Sequence, residues 1–392
     1  MDKTDKCDNS NTMHRPVRRL CVMFNHLRVA VPYSTTSQMV DEVILQRIQD
    51  CGVITLNRPK SLNALNLSMI RKIMPQMTEW EKDPAMNLVI IKGTGGKAFC
   101  AGGDIIAVTE AGKLGGDLAK DFFREEYILN NKIGTYKIPF VAFIDGITMG
   151  GGVGLSVHGQ YRVATERTVF AMPETGIGLF PDVGGGYFLP RLGGKLGVFL
   201  ALTGYRLKGR DVQKAGVATH FIQSSKMQAL EEALLKLPDP KSRDVARTLD
   251  RFQTESTDIP DTDFSLRDHM GEINRLFDGD TVEQIFENLR KEGSEWSLKQ
   301  LEELKKKSPV SMKITLQLLL EGQHKTLQED LQVEYRLSQH CMEDKDFYEG
   351  VRALLKDKDN KPVWNPATLA GVTREHVNWY FSPLPPDREL KL

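Results

Sequence analysis

The sequence predicts an α/β fold that gives way to helices in its C-terminal part, on three observations. A short apolar strand followed by a glycine-rich turn and a helix start occurs twice, over residues 88–104 and 140–157, which is the grammar of an α/β domain. The apolar runs between residues 43 and 144 are strand-sized rather than helix-sized. Beyond about Phe221 the segments turn charged and Leu-rich, as at Leu301, Leu304 and Lys305 to Lys307, and carry no glycine-rich turns. Three parts follow: an N-terminal segment over 1–38, an α/β core over 39–222 and a helical region over 223–392.

Residues 13–40 hold Arg15, Arg18, Arg19, Arg28, His14 and His26 but no acid, the composition of a mitochondrial import segment, and this predicts the mitochondrial matrix. Asp2, Asp5 and Asp8 conflict with that composition. Translation from Met13 would remove the conflict; the alternative is an unstructured basic tail.

The apolar runs 43–45 and 53–56, separated by the turn-like Asp50, Cys51 and Gly52, predict a β-hairpin that Arg58, Pro59 and Lys60 terminate. Leu67, Ile70, Met74 and Met77 then recur at helical spacing, with Asn66 as the cap. Pro75 is expected to kink this helix, and its methionines are expected to be core packing. A strand at 88–92 precedes the glycine-rich stretch 93–103, and a helix is expected near 117–132. A second strand, 140–144, leads through Gly146 to Gly150, Gly151 and Gly152 and the helix-like 153–157. The stretch 238–263 is largely polar, with Pro238, Pro240 and Pro260 marking connections.

Composition excludes several classes of function. Forty per cent hydrophobic residues in a chain of 392 allow a sizeable core, and 52 basic against 52 acidic residues give no net charge to draw the chain to nucleic acid or an anionic membrane. No run of eighteen apolar residues predicts a membrane span. Cys7, Cys21, Cys51, Cys100 and Cys341 are odd in number and scattered, without a CxxC pair or a histidine at metal spacing, so a reducing compartment and no structural metal are expected.

The chemistry is carried by the glycine turns. Residues 99–104 and 149–152 each place small residues where a strand meets a helix start, so backbone N–H groups can approach a ligand without an intervening side chain. Ligands of α/β folds bind where strands end. Two such turns can aim two amides at one carbonyl oxygen, an oxyanion hole for acyl transfer and related reactions. Neither turn is a GxxxxGK[ST] phosphate loop, and no dinucleotide-binding G-x-G-x-x-G follows a strand. Farther on, Glu174 and Asp182 lie among apolar and small residues, where poor solvation raises a carboxyl's pKa toward the range of general acid and base catalysis. The alternative for Glu174 is a helix cap after Pro173.

Together these elements resemble the crotonase superfamily, whose pattern NRPxxxNAL, AGGD, GGG, PE occurs at 57–65, 101–104, 150–152 and 173–174. The resemblance spans about 43–222. It implies a ClpP-like ββα spiral core with a helical C-terminal region, oxyanion amides on Gly103 and Gly151, and CoA bordered by Ala64, Leu65, Gly103, Asp104, Ile105 and Ile106. Hydratases of the superfamily place a second glutamate just after the triple glycine; Gly154 stands there, so only Glu174 matches. Longer strings, FFREEY at 122–127, GLFPDVGGGYFLP at 178–190 and Trp364, Asn365, Pro366, resemble the thioester hydrolases of the superfamily and extend the likeness over nearly all the chain after its N-terminal segment.

That resemblance implies hydrolysis of a small hydroxyacyl-CoA, with substrate contacts from Glu126, Gly151, Glu174 and Asp182. Glu174 would activate water or attack the thioester directly. Asp182 would bond the substrate hydroxyl or position the leaving thiol and water. CoA enters as part of the substrate, so no resident cofactor or metal is expected, and a homo-oligomer is compatible with the superfamily. Glu126 alternatively belongs to a charged helix face with Arg124 and Glu125, and His158 is expected as a core or supporting residue. Two other functions stay open, a different crotonase reaction such as enoyl-CoA hydration and acyl-CoA binding without catalysis.

Overall fold

Residues 140–144 are apolar without interruption because both faces of their strand are covered. The computed structural model describes residues 41–392 except 258, 260 and 261, and these belong to a unit beginning at Asp41. The N-terminal segment 1–38, with Cys7, Cys21 and the alternative start at Met13, lies outside the described residues, as does Pro260.

In chain order the core comprises β1 (Val43–Ile48), β2 (Cys51–Leu56), α1 (Leu67–Lys82), β3 (Leu88–Gly93), β4 (Ala98–Cys100), α2 (Ile105–Lys113), α3 (Leu118–Gly134), β5 (Phe140–Ile144), β6 (Ile147–Met149), α4 (Gly151–Gly154), β7 (Tyr161–Ala164) and β8 (Val169–Ala171). There follow α5 (Gly185–Phe188), α6 (Leu196–Thr203), β9 (Leu207–Lys208), α7 (Arg210–Lys214) and β10 (His220–Phe221). The remaining elements are helices: α8 (Met227–Leu235), α9 (Ser242–Thr254), α10 (Met270–Leu276), α11 (Val282–Glu292), α12 (Glu295–Leu304), α13 (Pro309–Gly322), α14 (Leu327–Glu343), α15 (Asp346–Val351) and α16 (Arg374–Tyr380). Among the described residues none is long and apolar enough to cross a membrane.

A six-stranded sheet runs β1-β2-β3-β5-β7-β10, antiparallel only at the β1–β2 hairpin. Alternate residues of β5 feed two cores. Phe140, Ala142 and Ile144 pack toward α1 and α3, while Val141 and Phe143 join Leu230 and Leu234 of α8 and Val245, Leu249 and Phe252 of α9 on the other face. Burial on both faces accounts for the unbroken apolar run.

Several expectations shift by a few residues. The hairpin turn is Gln49–Asp50, with Ile48 opposite Cys51, so Cys51 and Gly52 are strand residues and not turn residues. Gly52 is small because of a neighbour: a Cβ there would lie 2.6 Å from the Trp80 ring. The helix α1 runs through Pro75, which sits on the exposed face, where the carbonyl it leaves unpaired meets water. Asn66 caps it by accepting from the Met69 N–H at 2.9 Å. The helix after the triple glycine is one turn, Gly151–Gly154, and the polar stretch 238–263 hides the amphipathic α9, whose Val245, Leu249 and Phe252 are buried.

The second sheet positions the site. It runs β4-β6-β8-β9, with β4, β6 and β8 parallel, so residues 101–103, 150–152 and 172–174 all leave from the same ends of neighbouring strands. The Glu174–Ile177 turn is then backed by α15. A Cβ on Gly178 would come 2.1 Å from the Asp346 carbonyl oxygen, and one on Gly350 would come 2.2 Å from the Ile177 carbonyl carbon, so the two backbones touch with no side chain between them.

Gly350→Ala isolates that contact. Alanine is the better helix former by about 1 kcal/mol, yet overpacking costs about 1–3 kcal/mol, so a lower urea midpoint is expected. A raised midpoint would show that the two backbones do not meet.

Candidate active site

The two glycine turns converge on one cleft of ≈ 590 Å³. Gly102 has φ +116° and Gly150 φ +44°, left-handed values that glycine adopts freely. Leu65 N–H donates to Gly102 O and Asp104 N–H to Leu65 O, a parallel pairing that leaves the N–H of Gly103 directed away from Leu65. Gly151 opens α4, so its N–H belongs to the first turn and has no acceptor within the helix. A Cβ on Gly151 would lie 3.2 Å from Gly103 N and 2.6 Å from Glu126 Oε1, so only glycine lets the two amides and this carboxylate share one place.

Ala64, Gly103, Asp104, Ile105 and Ile106 line the cleft beside these amides. Leu65 is fully buried and supports the wall through its bonds to the 102–104 backbone. The NRPxxxNAL loop is held by its polar residues. Asn63, fully buried, accepts from Arg58 N and donates to Thr94 O and Ala98 O at 2.9–3.0 Å. Arg58 pairs with Asp104 at 3.0 Å, fastening this loop to the start of α2.

Three carboxylates face the amides. Glu126, 2 % exposed, points inward from α3, whereas Glu125 pairs with Arg71 at the surface and Arg124 bonds Tyr335; the charged-face alternative therefore does not describe Glu126. Its Oε1 has no hydrogen-bond partner within the described chain. Glu174 heads a buried turn, its Oε1 is 3.1 Å from where a Cβ of Gly150 would stand, and its Oε2 is likewise unpartnered. Asp182 Oδ2 accepts from the Tyr127 hydroxyl at 2.9 Å.

Desolvation, followed by the neighbouring charges of Asp182 and Glu174, holds the Glu126 carboxyl well above its ordinary range. Burial, with Asp182 next, does the same to Glu174. Burial pushes Asp182 up to about 7, against the opposing hydrogen bond from Tyr127. Three such groups do not all ionise at neutral pH, and the cluster retains protons for acid–base chemistry.

Tyr127 is the partner that sequence reasoning missed, although it ends the FFREEY string. Its signal is position: it follows Glu126 on α3 and is fully buried. His158 supports the site from outside. Its Nε2 bonds Val183 O at 2.7 Å, and burial pushes its pKa down to about 4, so the neutral ring is the donor. A Cβ at Gly154 would stand 2.7 Å from both Asn130 Nδ2 and Val183 Cβ, which leaves no room for a glutamate at the hydratase position.

The parallel-stranded core and the paired glycine amides are those of a crotonase. The chain belongs to the enoyl-CoA hydratase/isomerase family, whose profile matches residues 51–381. A relative named 3-hydroxyisobutyryl-CoA hydrolase, mitochondrial, from Rattus norvegicus is 60% identical over 375 residues, 96% of each chain. Its namesake from Homo sapiens is 58% identical over 367 residues, 94% of each chain. A solved structure of a carnitinyl-CoA dehydratase from Mycobacterium thermoresistibile matches with a TM-score of 0.81 and 35% identity, over 90% of this chain and 99% of its own.

The raised carboxyl of Glu126 has a stability consequence. The group binds its proton more tightly folded than unfolded, so its penalty is absent below the unfolded pKa of about 4.3 and grows as pH rises toward the folded value. Glu126→Gln is expected to raise Tm at about pH 8 and by less at about pH 5. Calorimetry at both pH values checks this; a lowered Tm at the higher pH would show that Glu126 is well solvated or paired.

Proposed function

We propose that the chain hydrolyses the thioester of 3-hydroxyisobutyryl-CoA to 3-hydroxyisobutyrate and free CoA, a step of valine catabolism in the mitochondrial matrix. The observation that carries this reading is Glu174: a buried carboxylate with one unpartnered oxygen, held against Gly150 beside the amides of Gly103 and Gly151. The relatives' shared name supports the substrate, and the blocked position at Gly154 disfavours hydration of a double bond.

In this reading the thioester oxygen accepts from the Gly103 and Gly151 N–H groups, which stabilise the negative charge it develops. Glu174 takes a proton from water as the water oxygen bonds the acyl carbon, or attacks that carbon itself to give an anhydride that water then opens. In the first route the proton on Glu174 passes to the thiolate as the C–S bond breaks. In the second the thiolate leaves as the anhydride forms and is protonated from solvent, and the water that opens the anhydride gives up its own proton as the Glu174 carboxylate is restored. Tyr127 holds Asp182 through Oδ2, the Asp182 carboxyl lines the cleft and would accept the substrate's hydroxyl, and a desolvated acceptor of this kind discriminates against an acyl group without one. CoA is part of the substrate, and Asp104 to Ile106 border its path.

Thiol release from 3-hydroxyisobutyryl-CoA, isobutyryl-CoA and an enoyl-CoA tests the reading. Glu174→Gln should lower turnover about 10²- to 10⁴-fold with folding retained. Water addition to the enoyl-CoA without thiol release would make the protein a hydratase. Asp182→Asn should narrow the preference for the hydroxylated substrate; an equal loss on hydroxylated and plain acyl-CoA would remove it from recognition.

A further inference from the structure

We infer that Glu334, carried on α14 of the helical region, is a positioning residue that holds Asp182 in the site, an inference that rests on the hydrolase reading above. Asp182 begins a turn the backbone does not favour. Val183 has φ +54°, and a β-branched residue in the left-handed region is strained by about 1–3 kcal/mol. Gly184 follows at φ +84°. Such a conformation persists only where its surroundings over-determine it.

Two side chains grip the turn from outside the cleft. His158 donates to Val183 O at 2.7 Å. Glu334 accepts from Gly184 N–H through Oε2 at 2.7 Å and from Gly186 N–H through Oε1 at 3.0 Å, so both of its oxygens are spent on this one turn. The carboxyl is fully buried, and no Lys, Arg or His forms an ion pair with it among the described residues. Burial and the neighbouring Asp330 push its pKa up, the sign of a group placed at an energetic cost. An apolar side chain would fill the same space on α14 without that cost. What the carboxylate adds is two hydrogen bonds to the backbone immediately after Asp182.

Asp330 shares this buried place with Glu334. It lies one helical turn earlier on α14 and is equally buried, its charge raises the pKa of the Glu334 carboxyl, and its Oδ1 lies 2.2 Å from where a Cβ of Gly186 would stand, so the two carboxyls face one turn.

The test compares kcat and KM for 3-hydroxyisobutyryl-CoA and isobutyryl-CoA in wild type, Glu334→Gln, Asp182→Asn and the double variant. Glu334→Gln keeps the volume and one acceptor, and a displacement of Asp182 by a fraction of an ångström should cut the preference for the hydroxylated substrate about tenfold. In the Asp182→Asn background the same change should cost less than about twofold more, because the two act through one carboxylate. His158→Ala, which frees the turn from its other side, gives the same readout should Glu334→Gln not fold. Retained preference in a folded Glu334→Gln, or multiplying losses in the double variant, overturns the inference. If wild type releases no thiol, the hydrolase reading falls and the inference with it; if wild type hydrolyses and the preference survives in Glu334→Gln, the inference falls alone.

Discussion

Three short strands ending side by side are the constraint on which the rest of this structure depends. Because β4, β6 and β8 are parallel neighbours, the turns at 101–103, 150–152 and 172–174 emerge on one edge. Two of them bring glycine amides together and the third brings Glu174. Had one strand run the other way, its turn would lie at the opposite end of the sheet. The glycines then permit an approach that any side chain would prevent, with Gly151 wedged between Gly103 N and Glu126 Oε1.

The chemistry asks for carboxylates in a poorly solvated place, and desolvation opposes folding. The structure meets this by fixing the backbone around each group. Glu126 and Tyr127 share α3, which packs along α1 and α14. The Glu174 turn is pressed by α15, whose first residue, Asp346, also accepts from Ser308 Oγ and Asn365 N and so ties three C-terminal segments to one place. The Asp182 turn is held from α14 and by His158. The long helical region is therefore the back wall of the site, and the Asn365 of the Trp364–Pro366 string serves that wall rather than the substrate.

Much of this was legible in the sequence. Strand 140–144 was visible as an apolar run, α1 through its periodicity and Asn66 cap, and both glycine turns through their place between strand and helix. Other elements were hidden for physical reasons. The stretch containing α9 reads as polar by composition, and its stripe of Val245, Thr248, Leu249 and Phe252 shows only when the residues are set on one helix face; what covers that stripe, α8 and the sheet face with Val141, Phe143 and Val163, comes from separate parts of the chain. Gly52 resembled a turn residue because its true reason, the Trp80 ring, is twenty-eight positions away.

By itself the sequence determined what depends on neighbouring residues: which segments form strands or helices, where glycine frees the backbone, and which acids sit among apolar neighbours. Those properties follow from local sterics and periodicity, which a short stretch carries whole. Only the tertiary structure decided that Glu126 turns inward while Glu125 stays at the surface, that Tyr127 bonds Asp182, and that Glu334 reaches a turn 150 positions before it. Hydrogen bonds and desolvation act over a few ångströms of space, and proximity across such separations exists only once the sheets and helices have packed.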